Sequence, residues 1–337
     1  MDEDKYITFQ KRLSELKKFS KIEECFYHDK TQCKGKIKLS HSIQKNGRLS
    51  ILEEEINGNK LIYSFTSIVP SKQYMIQTLE PIGKAKASTF FGFCDYHDST
   101  LFSIIENHPF DNSDKHCFLH SYRAFAHSYH YKNEEYKSLP LLLKDLPQDL
   151  RFLRDFATKM GVDDMNFYKK KIDSLIEKDD YSGLQYFTYI LPDLYPIACS
   201  STITPDYTYN GSAMNNHLDS NIKFSPIMIT VLPDFNQTII ILSCFSNDNK
   251  AEQFIDELEV LNDYKLKKAI SSLLISYAEN TFFSPKLWNG LGKKGQQLLC
   301  REIESKIRQS SRAFPHVKIN FFEDKFSTKR LSNNNIC

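Results

Sequence analysis

Histidine and cysteine are spread unevenly along this chain, and that unevenness constrains its fold more than any other feature. Eight of the ten histidines lie between His28 and His130, and four of the eight cysteines (Cys25, Cys33, Cys94 and Cys117) lie in the same third of the 337 residues. Cys199, Cys244 and Cys300 sit inside apolar runs, where a thiol acts as a small buried hydrophobe. The opening Met1-Asp-Glu-Asp-Lys is acidic and has no apolar run behind a basic region, which predicts no signal peptide. No stretch reaches the ~18 uninterrupted apolar residues of a membrane span. The expected setting is therefore cytoplasmic, without a membrane. There, clustered cysteines read as metal ligands rather than disulfides.

The candidate ligands fall into two short-spaced groups about sixty residues apart. The first is Cys25-x2-His28-x4-Cys33-x-Gly35 and the second is Cys94-x2-His97-Asp98. A structural zinc site is commonly built this way, each group on a tight turn or a helix start. Gly35 suits a knuckle whose amides point at a thiolate. Cys94 and His97, three apart on a first helical turn, project toward one point. The expected zinc ligands are Cys33, Cys94 and His97, with Cys25 preferred over His28 as the fourth.

Phe9, Leu13, Leu16, Phe19 and Ile22 recur at helical spacing and predict an amphipathic helix over 8–22. Residues 35–43 and 60–69 alternate like strands. A helix is expected from near Cys94, and another over 116–131. Residues 132–140, KNEEYKSLP, read as a linker. Beyond it, two paired helices (146–161 and 163–178), three strands (184–191, 222–233 and 237–245) and three helices (250–262, 264–280 and 293–309) are expected. PDFNQ marks a hairpin turn. The predicted class is α+β: an N-terminal treble-clef or ββα zinc unit with flanking helices (1–135), then a C-terminal α+β domain (140–337) with a central antiparallel sheet and several helices. The second domain is expected to recognise a substrate or a protein partner. The 25 Phe and 18 Tyr supply ample core, while a net charge of only +2 confines any nucleic-acid contact to a local patch.

His41 ends the strand that leaves the first ligand group. The order of knuckle, strand ending in His, second strand, and helix opening with Cys-x2-His resembles the HNH, or ββα-metal, nucleases that carry an extra structural zinc. The resemblance covers roughly residues 23–106. It implies a metal-dependent endonuclease that hydrolyses phosphodiesters of DNA or RNA. His41 would be the general base, Asp98 the ligand of a catalytic Mg²⁺ or Mn²⁺, and Asn46, Asn57 or Asn59 the loop asparagine, with Asn46 taken first. The sequence departs from that pattern in three places. Ser40 stands where an acidic residue is frequent, Cys94 comes 53 positions after His41, and Asp98 replaces the more usual His. KGKIKLSHSIQKN and KASTFFGFCDYHD also resemble an uncharacterised bacterial family linked to mobile elements or phage defence. The competing expectation is a non-catalytic, zinc-stabilised binding or regulatory protein of such a system.

On the helix over 116–131, His116, His120, Arg123, His127 and His130 share one face at spacings of four, three, four and three. Arg123, His127 and His130 are the candidate nucleic-acid contacts, and a solvated polar face is the plainer expectation. Arg123 and His130 also form an R-x6-H pair that resembles the HEPN ribonuclease motif. Lys169–Lys171 reads as a solvated charge run, and Trp288 as a core anchor. GLGKKG (290–295) lacks the spacing of a P-loop.

Overall fold

A computed structural model describes residues 3–70, 77–144, 147–215, 222–308 and 313–328. In chain order the first part holds α1 (Glu3–Ser20), β1 (Ile37–His41), α2 (Arg48–Leu52), β2 (Glu54–Ile56), β3 (Asn59–Pro70), β4 (Gln77–Gly83), β5 (Thr89–Cys94), α3 (Asp95–Asn107) and α4 (Asp114–Leu143). Then come α5 (Gln148–Glu177), β6 (Leu184–Leu191), β7 (Ile197–Ile203), β8 (Ile227–Asp234), β9 (Gln237–Phe245), α6 (Asn249–Glu259), α7 (Asp263–Ser276), β10 (Thr281–Phe283), α8 (Pro285–Gly290) and α9 (Gly292–Arg308).

Two sheets organise these elements, and the class is α+β as expected. β1 and β5 form an antiparallel pair with His41 opposite Thr89, and α3 follows directly. This is a ββα unit whose two strands are separated by an inserted segment, α2 to β4. The inserted β2, β3 and β4 belong to the larger antiparallel sheet, of order β2-β3-β10-β7-β8-β9-β6 with β4 paired to β3. Strands from both sides of residues 135–140 therefore share one hydrogen-bonded sheet.

β8 and the core of β9 are buried on both faces, which is why IMITVLPD and QTIIILSCF read as near-continuous apolar runs. On one face, Ile229, Val231, Ile240 and Leu242 meet Phe254 of α6, Leu273 of α7 and Ile303 of α9. On the other, Ile239 and Ile241 meet Leu49 of α2 and Cys117 of α4. Met228 and Phe245 join an aromatic cluster with Phe118, Tyr122 and Phe125 of α4, Phe93 of β5 and Phe102 of α3. α4 is thus a shared wall between the sheet and the ββα unit.

Several expectations need correction. Residues 132–140 are helical, the C-terminal part of α4. Glu134 accepts from the Ile22 amide at 3.0 Å, and Lys137 donates to Lys21 O at 2.8 Å, so packing against the chain after α1 extends a segment rich in helix formers. The two helices expected over 146–178 are one helix, α5, which runs through Gly161. The strand expected from residue 222 begins at Ile227, after Pro226. α2, β2, β4, β5, β7, β10 and α8 were not foreseen, and the strand expected over 60–69 pairs in the large sheet rather than with β1, since short and small-polar segments carry little periodicity. Phe9 and Leu13, two anchors of the expected first helix, have side chains outside the described residues. No helix among the described residues is long and apolar enough to cross a membrane.

Candidate metal centre

The chain after α1 runs beside β5, with the Glu24 amide donating to Phe91 O at 3.3 Å and the Phe26 amide to Gly92 O at 2.5 Å. Phe26 is buried against Phe93, Tyr122, Phe125 and Tyr129, and this holds Cys25 in place. A 3-10 turn at Lys30–Gln32, capped by Asp29, delivers Cys33. Gly35 then takes φ +77°, and a Cβ there would lie 2.6 Å from Asp95 Oδ2, so only glycine lets the knuckle close onto α3. Cys94 is the N-cap of α3, and His97 stands in its first turn.

Four ligand atoms meet. His97 Nδ1 lies 3.4 Å from Cys25 Sγ, 3.7 Å from Cys33 Sγ and 3.2 Å from Cys94 Sγ. All four lie within 4.8 Å of one another. A tetrahedral zinc with Zn–S of about 2.3 Å and Zn–N of about 2.0–2.1 Å sets N···S edges near 3.5 Å, so the donor set fits the ion. Four protein ligands leave no open position, which is the composition of a structural site. The open choice of fourth ligand resolves to Cys25. His28 lies outside the cluster, its ring 4.4 Å from Tyr27, which in turn stacks on His97 at 4.1 Å.

The thiols are not equivalent. Burial raises Cys25. Burial, then the neighbouring Cys25, pushes Cys33 up to about 12. Burial acts the same way on Cys94, but hydrogen bonds from the His97 and Lys34 amides outweigh it and hold this thiol below its ordinary value. Burial lowers His97, keeping the imidazole neutral for ligation. A divalent cation held by Cys25, Cys33, Cys94 and His97 would favour the thiolates, because only thiolates ligate it.

A second polar cluster adjoins the first. Asp98 follows His97, and its Oδ1 is 4.0 Å from Arg123 Nη2. The same Nη2 bonds Glu106 at 2.5 Å, and the guanidinium lies 4.0 Å over the Phe102 ring. His41 donates to the Lys84 carbonyl. Burial, then the charges of Lys45 and Arg123, lower it to about 4, so it is neutral at pH 7. His41 Nε2, Asp98 Oδ1 and Arg123 Nε are buried with no hydrogen-bond partner among the described residues. Glu106 escaped the sequence reading. Its only signal was a place eight residues after Asp98 on the same helix.

The remaining candidates make no hydrogen bond to His41, Asp98 or Arg123 among the described residues. Asn46 is exposed in the turn before α2, and Asn57 and Asn59 sit at the β2–β3 turn. The face of α4 expected to be solvated is buried: His116, His120, Arg123, His127 and His130 are each no more than 8% exposed. His127 packs against Phe90 and Tyr131, and burial lowers it to about 3. His130 bonds Glu134 at 3.2 Å, so the two ends of the R-x6-H pair engage different acids. Lys169 is mostly buried on Asp173 and Phe26 rather than solvated. Trp288 is a core residue stacked on Tyr63. Compared with protein-family models, with curated proteins and with solved structures, the chain gives no match, so the reading of these sites rests on its own residues.

Proposed function

We propose that the protein hydrolyses nucleic-acid phosphodiesters at the cluster of His41, Asp98 and Arg123, with the Cys25, Cys33, Cys94 and His97 zinc as scaffold. One observation carries this reading. His41 and Asp98, 57 positions apart, each present a buried polar atom without a hydrogen-bond partner; Asp98 Oδ1 lies 4.0 Å from Arg123 Nη2, and the Arg123 charge acts on His41. Such atoms call for water, an ion or a substrate oxygen.

Neutral His41 accepts a proton from the attacking water. Arg123 offers a planar donor fork to a phosphate. When a phosphate draws that charge away, one of the lesser causes of the low His41 value weakens, while burial, the largest, continues to hold the ring neutral. Asp98 supplies a hard oxygen suited to Mg²⁺ or Mn²⁺, which would add positive charge for the developing phosphorane.

A different observation favours a second reading. Arg123 already neutralises Glu106 and stands beside Asp98, where a divalent cation would meet a fixed positive charge. If that pairing persists, the unit is a non-catalytic, zinc-stabilised binding or regulatory module. Cleavage of DNA and RNA with Mg²⁺ or Mn²⁺ separates the two. The nuclease reading expects activity in wild type and a loss of about 10²–10⁴-fold in His41→Ala. Wild type inert on every nucleic acid and metal ends that reading. A fully active His41→Ala removes His41 as the base.

A further inference from the structure

The strand end that carries His41 is held from the far side of the molecule. The Ser42 amide donates to Ser88 O at 2.8 Å, and the two hydroxyls share a hydrogen bond of 2.6 Å. The Ile43 amide donates to Ser88 Oγ at 2.8 Å. Ser88 sits in the left-handed region at φ +59°, which a non-glycine residue keeps only when its surroundings over-determine it.

Asn280, from the short link between α7 and β10, completes this arrangement. Its Nδ2 donates to Ser42 Oγ at 2.7 Å and to Ser200 O at 2.7 Å. Its own amide donates to Ser201 Oγ at 3.2 Å, and its carbonyl accepts from the Ser200 amide at 3.3 Å. Ser42, Ser88, Ser200, Ser201 and Asn280 are all at most 6% exposed. One carboxamide thus divides its two donors between the His41 strand end and β7, deep in low dielectric, where breaking either bond is costly.

We propose that Asn280 is a positioning residue that couples the large sheet to His41, so that the packing of β7 and β10 governs the placement of the imidazole. The proposal deepens the reading of the His41 site given above and rests on it. The charged groups acting on His41 are Lys45, Arg123 and Glu106, and its hydrogen-bond partner is the Lys84 carbonyl. Asn280 is none of these and carries no charge. A change in His41 on altering Asn280 therefore reports movement of the strand end, not loss of a neighbouring charge.

The test follows the His41 ring by NMR titration on the full, zinc-loaded chain without substrate. In Asn280→Ala the midpoint should rise from its depressed value toward that of a free imidazole by about one pH unit or more, with zinc content unchanged. If Asn280→Ala does not fold, Ser42→Ala breaks the same bond and leaves Asn280 on Ser200 and Ser201. A folded variant whose His41 signals and midpoint match wild type overturns the proposal. Because no activity is read, an inactive protein with a shifted His41 leaves this coupling standing and removes only the nuclease reading.

Discussion

The ββα unit and the large sheet solve the same problem by different means. The sheet buries both faces of β8 and β9 beneath α4 and α2 on one side and α6, α7 and α9 on the other, and area alone supplies its core. The β1–β5 pair has two strands, too few to stand in water by themselves. It leans on α4 through Phe26, Phe93 and Phe102 and adds four converging ligands. Where area is short, these ligands offer a place for a metal crosslink to replace it. The comparison predicts that the unit depends on zinc and the sheet does not.

Zinc removal is the largest expected effect. Structural zinc contributes about 10–16 kcal/mol in small domains. Stripping the metal, or Cys94→Ser, should abolish the near-UV signal of the aromatic cluster around Phe93 and Tyr122. Fluorescence of the single tryptophan, Trp288, packed on Tyr63 and Phe283 in the sheet half, should stay that of a buried indole. A concerted loss of both would show one cooperative unit and break the comparison. Zinc content below half an equivalent in protein purified without chelator would remove the metal altogether.

Acid sensitivity comes next. His41 and His127 titrate at about 4 and about 3 when folded, below the ordinary 6.5. The unfolded chain therefore binds protons that the folded chain refuses. The stability tied to these neutral rings is complete above pH 6.5, falls as pH drops toward 4 for His41, and continues to fall toward 3 for His127. Each ring adds a slope of up to about 1.4 kcal/mol per pH unit. Denaturant melts from pH 7 to 4 should show a shallower decline for His127→Asn than for wild type. That variant keeps every zinc ligand, so an identical slope would detach acid lability from the buried histidines.

The smallest expected effect is local. Gly35→Ala forces a side chain into the left-handed region and onto Asp95, at a cost of about 1–3 kcal/mol. Competition with a chromogenic chelator should find zinc held more weakly, with the Trp288 environment unchanged. An unaltered affinity would mean the knuckle does not need its tight turn.

Much of the site was legible before any coordinates. Cysteine and histidine at short spacing are chemically specific, so Cys33, Cys94 and His97 could be named from residue type, and Gly35 from the backbone its turn requires. β9 was legible as well, because a strand buried on both faces is apolar throughout. The face of α4 was misread for the same kind of reason. Five histidine and arginine side chains on one stripe look solvated unless one knows that Phe90, Phe110, Glu106 and Glu134 cover them.

By itself the sequence determined the ligand types and the α+β class, because these depend on spacing and local periodicity; the strand read at 60–69 lies in the large sheet, and β5 takes its place beside β1. Tertiary structure alone decided the rest: Cys25 over His28, the Arg123–Glu106 pair beside Asp98, the reach of Asn280 to Ser42, and the entry of β2, β3 and β4 into the large sheet. These depend on which distant surfaces bury each other. A polar group far along the chain leaves no periodic trace of the partner it will meet once water is excluded.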